Sequence, residues 1–144
     1  MPNIKYRVGF IGCGRIAAAH ALGYQGVSQI EMVAIADPIR SVLDSFGDQF
    51  GISNRYLDAR QMLDKEDLDI VSIATWHKLH APMTIAACAS GIKAVLCEKP
   101  MATTLGECHE MITVAKRNNV KLAIAHQRRF YSAWTEARQL IAAG

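Results

Sequence analysis

Gly12-Cys13-Gly14-Arg15-Ile16-Ala17 has the form GxGxxA, and it lies between a short apolar run and a segment of helical pattern. That context gives each small residue a task. A first glycine permits a tight turn, a second lets backbone approach a pyrophosphate, and a small third residue lets the following helix pack closely on the strand. Phosphate would sit at the helix N-terminus, where free N–H groups and the helix dipole favour an anion. Glycines in a strand-to-helix turn also serve backbone geometry alone. The acidic residue downstream separates the two readings. Asp37 stands 20 residues beyond Ala17 at the end of a second apolar run, the spacing at which a carboxylate accepts hydrogen bonds from an adenosine ribose. Its structural alternative is a helix N-cap ahead of Pro38. A carboxylate there favours NAD over NADP, because a 2′-phosphate would meet a like charge. Arg40 is either a partner for such a phosphate or a solvated cation on a helix surface. The same loop and acid also suit S-adenosylmethionine, so the first 40 residues leave a methyltransferase open.

Cys97-Glu98-Lys99-Pro100 forms a second constellation after a later apolar run, and ligands of an open α/β sheet bind beyond the strand ends. As residues alone, Glu98 and Lys99 are either functional groups at such a cleft or a solvated charge pair worth little in stability. Thr75-Trp76-His77-Lys78-Leu79-His80 follows another run. A histidine at the start of a helix either packs and caps or touches a ligand.

The elements that must position these residues are legible in the apolar pattern. Runs at 7–11, 31–36, 69–74, 94–97 and 122–125 are nearly continuous in Val, Ile and Ala, as strands of a sheet covered on both faces require. Segments 15–24, 38–50, 79–90 and 104–118 have the length and pattern of crossover helices. Pro38 suits a first helical turn, Gly91 a helix stop, and Thr103 or Thr104 a cap. A weaker strand is expected at 55–57 and a short helix at 59–63. With right-handed crossovers the pattern predicts an α/β fold, a doubly wound parallel sheet of about six strands. Beyond it, Trp134, Ala137, Leu140 and Ile141 fall at helical spacing, the usual mark of a core-facing stripe.

Composition narrows the function classes. The 144 residues are 51% hydrophobic and 20% charged, with 16 Lys+Arg against 13 Asp+Glu and no charge block. One folded domain is expected, with nothing that favours nucleic acid or a membrane surface. The longest small-and-apolar stretch, near 81–92, falls short of the ~20 residues of a membrane span. Met1-Pro2-Asn3 begins no signal peptide, so a cytoplasmic location is expected. Cys13, Cys88, Cys97 and Cys108 lack the spacing of a zinc site and read as reduced thiols, and no metal is expected.

Taken together, the GxGxxA loop, Asp37, Thr75 with His80, Glu98-Lys99-Pro100 and Arg128-Arg129-Phe130 resemble a known family. It is the glucose-fructose oxidoreductase, inositol dehydrogenase and rhizopine-catabolism (Gfo/Idh/MocA) family of NAD(P)-dependent oxidoreductases. The resemblance implies cofactor contacts from Gly12, Gly14, Arg15, Ile16, Asp37, Thr75, His80, Glu98, Lys99 and Pro100. Lys99 is implied as the catalytic cation, placed against the nicotinamide and the reacting carbon. Positive charge suits that position, because hydride removal from an alcohol develops alkoxide character. The resemblance also implies a cis Lys99-Pro100 peptide that presents Lys99 to the cleft. Trp76 and His77 depart from the family's usual Thr-Pro-Asn start. Residues 1–126 are then the NAD(P)-binding domain, and 127–144 the crossing segment and helix toward a C-terminal α+β domain. That second domain would bring the hydroxyl-bearing sugar or polyol and the acid/base partners, so the chain alone is expected to be inactive. A homo-oligomer is expected as well. The alternative is a free-standing dinucleotide-binding module without turnover, and Lys99 argues for the enzyme.

Overall fold

The apolar runs form strands and the intervening segments form helices in the computed structural model, which describes residues 5–144. Met1-Pro2-Asn3, read above for the absence of a signal peptide, lies outside the described residues. The elements are β1 (Tyr6–Ile11), α1 (Arg15–Gln25), β2 (Ile30–Ala36), α2 (Arg40–Phe50), β3 (Asn54–Tyr56), α3 (Ala59–Lys65) and β4 (Ile70–Ile73). They continue with α4 (His80–Ala89), β5 (Ala94–Cys97), α5 (Leu105–Arg117), β6 (Lys121–Ile124) and α6 (Ser132–Ala143). The strands pair in the order β3-β2-β1-β4-β5-β6, every pair parallel. This is the doubly wound sheet expected from the sequence, and its strand order reverses between β1 and β4.

The reason for continuous apolar strands is visible in β1. Val8 and Phe10 join Ala17 and Ala21 of α1 and Leu43 and Phe46 of α2. Ile11 joins the opposite cluster, with Met62, Ile73, Ala81 and Met111. A period of two therefore sends side chains into two dry layers, and no polar alternation survives. Phe10 is central to the first layer, its ring 5.8 Å from Tyr24 and 5.5 Å from Phe46 in edge and tilted geometries that aromatic pairs favour. Ala17 and Ala21 are fully buried, so α1 lies close on the sheet as a small third residue in GxGxxA requires.

Several boundaries differ from the sequence reading. The helix expected from Pro38 begins at Arg40, with Ile39 at the cap position and no side-chain cap. Asp37 Oδ1 accepts the Ile39 N–H at 2.9 Å, so residues 37–39 form a local turn that Asp side chains favour, and Asp37 does not cap α2. A 3₁₀ turn over His77–Leu79 precedes α4. Of the two threonines, Thr104 caps α5: its hydroxyl accepts the Glu107 N–H while Glu107 accepts the Thr104 N–H, a reciprocal capping box. The apolar stripe of α6 faces outward rather than into the core, with Trp134 57% and Ile141 83% exposed. All four cysteines are free thiols. No helix among the described residues is long and apolar enough to cross a membrane.

The two glycines of the loop differ sharply in what the fold asks of them. Gly12 has φ +91°, and a Cβ there would lie 2.6 Å from the Ala74 carbonyl oxygen. Gly14 has an ordinary φ of −79°, and among the described residues no heavy atom beyond its immediate chain neighbours lies within 4 Å of its Cβ position. Gly12→Ala is expected to lower stability by about 3 kcal/mol or more, and Gly14→Ala by no more than about 1 kcal/mol. Urea unfolding of the two variants checks this, and equal stabilities would remove the close approach as the reason for Gly12.

At the other end of the sheet, Asp69 accepts the Arg7 N–H at 2.9 Å and pairs with Lys93 at 2.5 Å. Burial works against its ionisation, but these partners outweigh it and hold its carboxyl below the usual range. The folded value is thus the lower one. The stabilisation is complete above the unfolded carboxylate's pKa and is lost as pH falls through the folded value. Asp69→Asn should therefore shrink the acid-induced fall in urea midpoint between about pH 6 and pH 2, and an unchanged acid limb would show that Asp69 does not contribute.

Candidate functional site

Register decides which residues meet. Ala36, Ile11, Ile73 and Cys97 lie in one row across β2, β1, β4 and β5. The next residues along these strands are Asp37, Gly12, Ala74 and Glu98, so they become neighbours along the carboxyl edge. Backbone hydrogen bonds run past the strand ends: Gly12 N–H to Ala36 O at 2.8 Å, Ala74 N–H to Ile11 O at 2.9 Å and Glu98 N–H to Ile73 O at 2.9 Å. The candidate residues thus line the crevice at the reversal of strand order, where doubly wound sheets bind ligands.

Asp37 closes the glycine loop. Its Oδ2 accepts the Cys13 N–H at 3.0 Å, and its Oδ1 accepts the Ile39 N–H. A carboxylate has about four acceptor positions, so two remain for hydroxyl donors. Gly14 occupies the cap position of α1 with no side-chain cap, and no acidic residue stands in the first turn. The opening N–H groups of the helix, from Arg15 and Ile16 onward, therefore lack intrahelical partners. A cleft of about 460 Å³ opens beside Gly14 and Arg15 and runs between α1 and α2 past Ser41 and Gln49. The residues present fit a dinucleotide pyrophosphate on one structural observation: the opening N–H groups of α1 carry no side-chain cap, and the space beside Gly14 is open.

The other half of the site is built around Glu98. It is only 5% exposed, which removes the solvated-pair alternative. Its Oε1 lies 3.1 Å from His20 Nε2, and its Oε2 accepts the Lys99 N–H at 3.0 Å. His20 Nδ1 in turn lies 2.8 Å from the Ser72 hydroxyl. Lys99 is exposed, with no carboxylate at ion-pair distance among the described residues. Its peptide bond to Pro100 is cis, as the resemblance implied. Thr75 is half-buried and its hydroxyl donates to Trp76 O at 3.3 Å.

His80, read from the sequence as either a packing or a ligand-touching histidine, is packed against backbone. The ring is fully buried, with Nδ1 2.7 Å from Pro100 O and Nε2 3.2 Å from Thr75 O. Both nitrogens face carbonyls of the chain that lines the cleft. Sequence reading passed over His20 and Ser72. The signal for Ser72 was a hydroxyl between Val71 and Ile73 in a strand buried on both faces, and His20 sits one turn beyond Ala17 on α1, flanking the packed alanines.

Cys13 and Cys97 are buried thiols at the edge of the site. Burial, reinforced by Asp37, pushes the Cys13 pKa up to about 12, and burial pushes Cys97 to about 11. Both stay protonated and unreactive at neutral pH. No cluster of three metal-ligating side chains occurs among the described residues.

Comparison with known proteins agrees with this fold. Residues 6–126 match the family described as "Oxidoreductase family, NAD-binding Rossmann fold" (GFO_IDH_MocA). The chain is 33% identical over 129 residues to D-apiose dehydrogenase of Paraburkholderia graminis, covering 90% of this chain and 34% of that protein. It is 34% identical over 152 residues to levoglucosan dehydrogenase of Pseudarthrobacter phenanthrenivorans, covering 100% of this chain and 38% of that one. Among solved structures, the WlbA dehydrogenase from Bordetella pertussis, in complex with NADH and UDP-GlcNAcA, superposes with a TM-score of 0.89 at 28% identity, covering 97% of this chain and 42% of that one. The chain thus spans little more than a third of the length of these curated relatives. With the fold, the glycine loop and the matched residues in agreement, the chain belongs to the Gfo/Idh/MocA family of oxidoreductases and carries its NAD-binding Rossmann domain.

Proposed function

We propose that this chain is the cofactor-binding part of an oxidoreductase that moves hydride between NAD and a hydroxyl group of a sugar, polyol or related small molecule. The observation that carries the reading is the order of groups along one sheet edge. A half-open carboxylate, Asp37, leads through the glycine loop to an exposed cation, Lys99, with three strand spacings between β2 and β5, about 14 Å. An extended dinucleotide bridges such a span. When bound, its nicotinamide supplies the hydride acceptor. The N–H groups at the start of α1 hold the pyrophosphate, and the spare acceptor positions of Asp37 take the adenosine ribose hydroxyls. Thr75 and Glu98 line the nicotinamide end, and Lys99 sets positive charge beside the substrate oxygen, where alkoxide character develops.

Asp37 supports NAD over NADP, because a 2′-phosphate would lie against a like charge. The relatives' names, an apiose and a levoglucosan dehydrogenase, support a sugar-like substrate. In this reading residues 1–126 hold the cofactor, 127–144 lead toward a substrate domain, and the enzyme is a cytoplasmic homo-oligomer. General acid and base come from outside this chain, so the chain alone binds cofactor without turnover.

Calorimetric titration tests cofactor choice. NAD(H) is expected to bind at least about tenfold tighter than NADP(H), and tighter NADP(H) binding would shift the assignment to Arg40. Gly14→Val should abolish binding of both, since its side chain would occupy the pyrophosphate's path. Retained affinity would reduce the loop to a turn.

Lys99→Met keeps side-chain length and removes charge. Dinucleotide affinity should change by less than about threefold, because the adenosine and pyrophosphate contacts lie elsewhere. In the intact enzyme kcat and kcat/KM should fall together by about 100-fold or more, as for an interaction made in the transition state. Steady-state kinetics decide it, and an unchanged kcat would make Lys99 a surface charge.

A further inference from the structure

The Glu98-Lys99-Pro100 segment is gripped from both faces of the sheet. His20 reaches it from α1, whose Ala17 and Ala21 belong to one core layer. His80 reaches it from α4, whose Ala81 and Ala87 belong to the other. Beyond Lys99, the Pro100 carbonyl is held by His80 Nδ1 at 2.7 Å. Before Lys99, support comes from the Glu98 side chain, which turns back to accept the Lys99 N–H at 3.0 Å. That carboxylate needs a support of its own, and His20 Nε2 at 3.1 Å is the side-chain group that meets it.

Burying a carboxylate costs free energy unless hydrogen bonds and opposite charge compensate, and apolar residues of similar size usually stabilise as well or better. Core packing therefore gives no reason for a chain of Ser72, His20 and Glu98 beneath the sheet edge. Orientation gives one. A carboxylate only accepts, so Nε2–H of His20 donates to Glu98 Oε1. In the neutral ring Nδ1 is then the acceptor of the Ser72 hydroxyl, which lies in a fully buried strand position. The donor-acceptor order fixes the ring plane, the ring fixes the carboxylate, and the carboxylate fixes the backbone from which the Lys99 side chain leaves.

We propose that His20 is a positioning residue for Lys99, acting through Glu98, with Ser72 setting the orientation of its ring. This rests on the reading of Lys99 as the cation at the hydride-transfer end of the cleft. His20 itself touches neither substrate nor cofactor in this assignment.

Amide hydrogen exchange followed by NMR on the 144-residue chain tests it, with Lys99 as the reporter and Phe10 in β1 as the measure of global stability. His20→Leu keeps bulk and removes both polar contacts. It should speed Lys99 exchange roughly tenfold or more relative to Phe10, the scale of losing a hydrogen bond to a charged group. His20→Gln supplies a donor and an acceptor in one side chain and should restore most of the protection. Ser72→Ala is the gentler cut and should speed Lys99 exchange in the same sense, which keeps the test readable if His20→Leu does not fold. Unchanged Lys99 exchange in Ser72→Ala and His20→Leu, or equal loss in the Leu and Gln variants, overturns the proposal. A parallel titration compares NAD with ADP-ribose, which lacks the nicotinamide. Both affinities should change by less than about threefold in His20→Leu, as in Lys99→Met, and a larger loss of both would overturn a role for His20 confined to Lys99. If the wild-type chain binds neither probe, the cofactor reading fails, while the exchange data still judge the placement of Lys99.

Discussion

At the carboxyl end of β1 the backbone passes the chain leaving β4 at a distance that admits no side chain. A Cβ on Gly12 would lie 2.6 Å from Ala74 O and 3.1 Å from Thr75 N, while the Gly12 N–H donates to Ala36 O at 2.8 Å. One residue is thus bonded to β2 and pressed against β4, at the place where the strand order reverses. The positive φ that follows from this double constraint turns the chain into the glycine loop and aims α1 at the crevice. The loop's next N–H, from Cys13, then falls within reach of Asp37. A gap wider by one side chain would separate the carboxylate, the loop and the Thr75 segment.

Both ends of the crevice use a carboxylate that accepts backbone N–H groups, in opposite environments. Asp37 is half-buried and open on one side, with hydrogen bonds to Cys13 and Ile39 that leave acceptor capacity toward solvent. Glu98 is buried, and its two oxygens are engaged by His20 and the Lys99 N–H. The first arrangement suits recognition, since an exchangeable ligand can replace water on the free lone pairs. The second suits rigidity, because buried hydrogen bonds without water to compete hold one geometry. An exposed Lys99 on a pinned backbone combines a mobile side chain with a fixed origin.

The departure from the family at Trp76 and His77 becomes understandable in the same terms. Trp76 is 79% exposed, and its carbonyl takes the Leu79 N–H of the 3₁₀ turn. The Thr75 carbonyl lies 3.2 Å from Nε2 of the buried His80 ring, whose shorter contact is to Pro100 O. Changing the residues at 76 and 77 therefore alters the surface of the rim while the backbone beneath keeps its supports.

The sequence by itself determined the parallel sheet, since only strands covered on both faces read as unbroken Val, Ile and Ala. It also located the glycine loop, Asp37 and the Glu98-Lys99-Pro100 segment and narrowed the α5 cap to Thr103 or Thr104, because these depend on local spacing and backbone chemistry. It misplaced the start of α2, where the Asp37 side chain bonded the Ile39 N–H and set a turn that propensity alone does not reveal. It could not pair His20 with Glu98, 78 positions apart, nor show that His80 is buried between two carbonyls. Periodicity alone marked the apolar face of α6 without naming what lies against it. Those outcomes were decided by tertiary structure, because burial and hydrogen-bond partners depend on which helix lies over which strand, and the row Ala36-Ile11-Ile73-Cys97 is defined only once the sheet has formed.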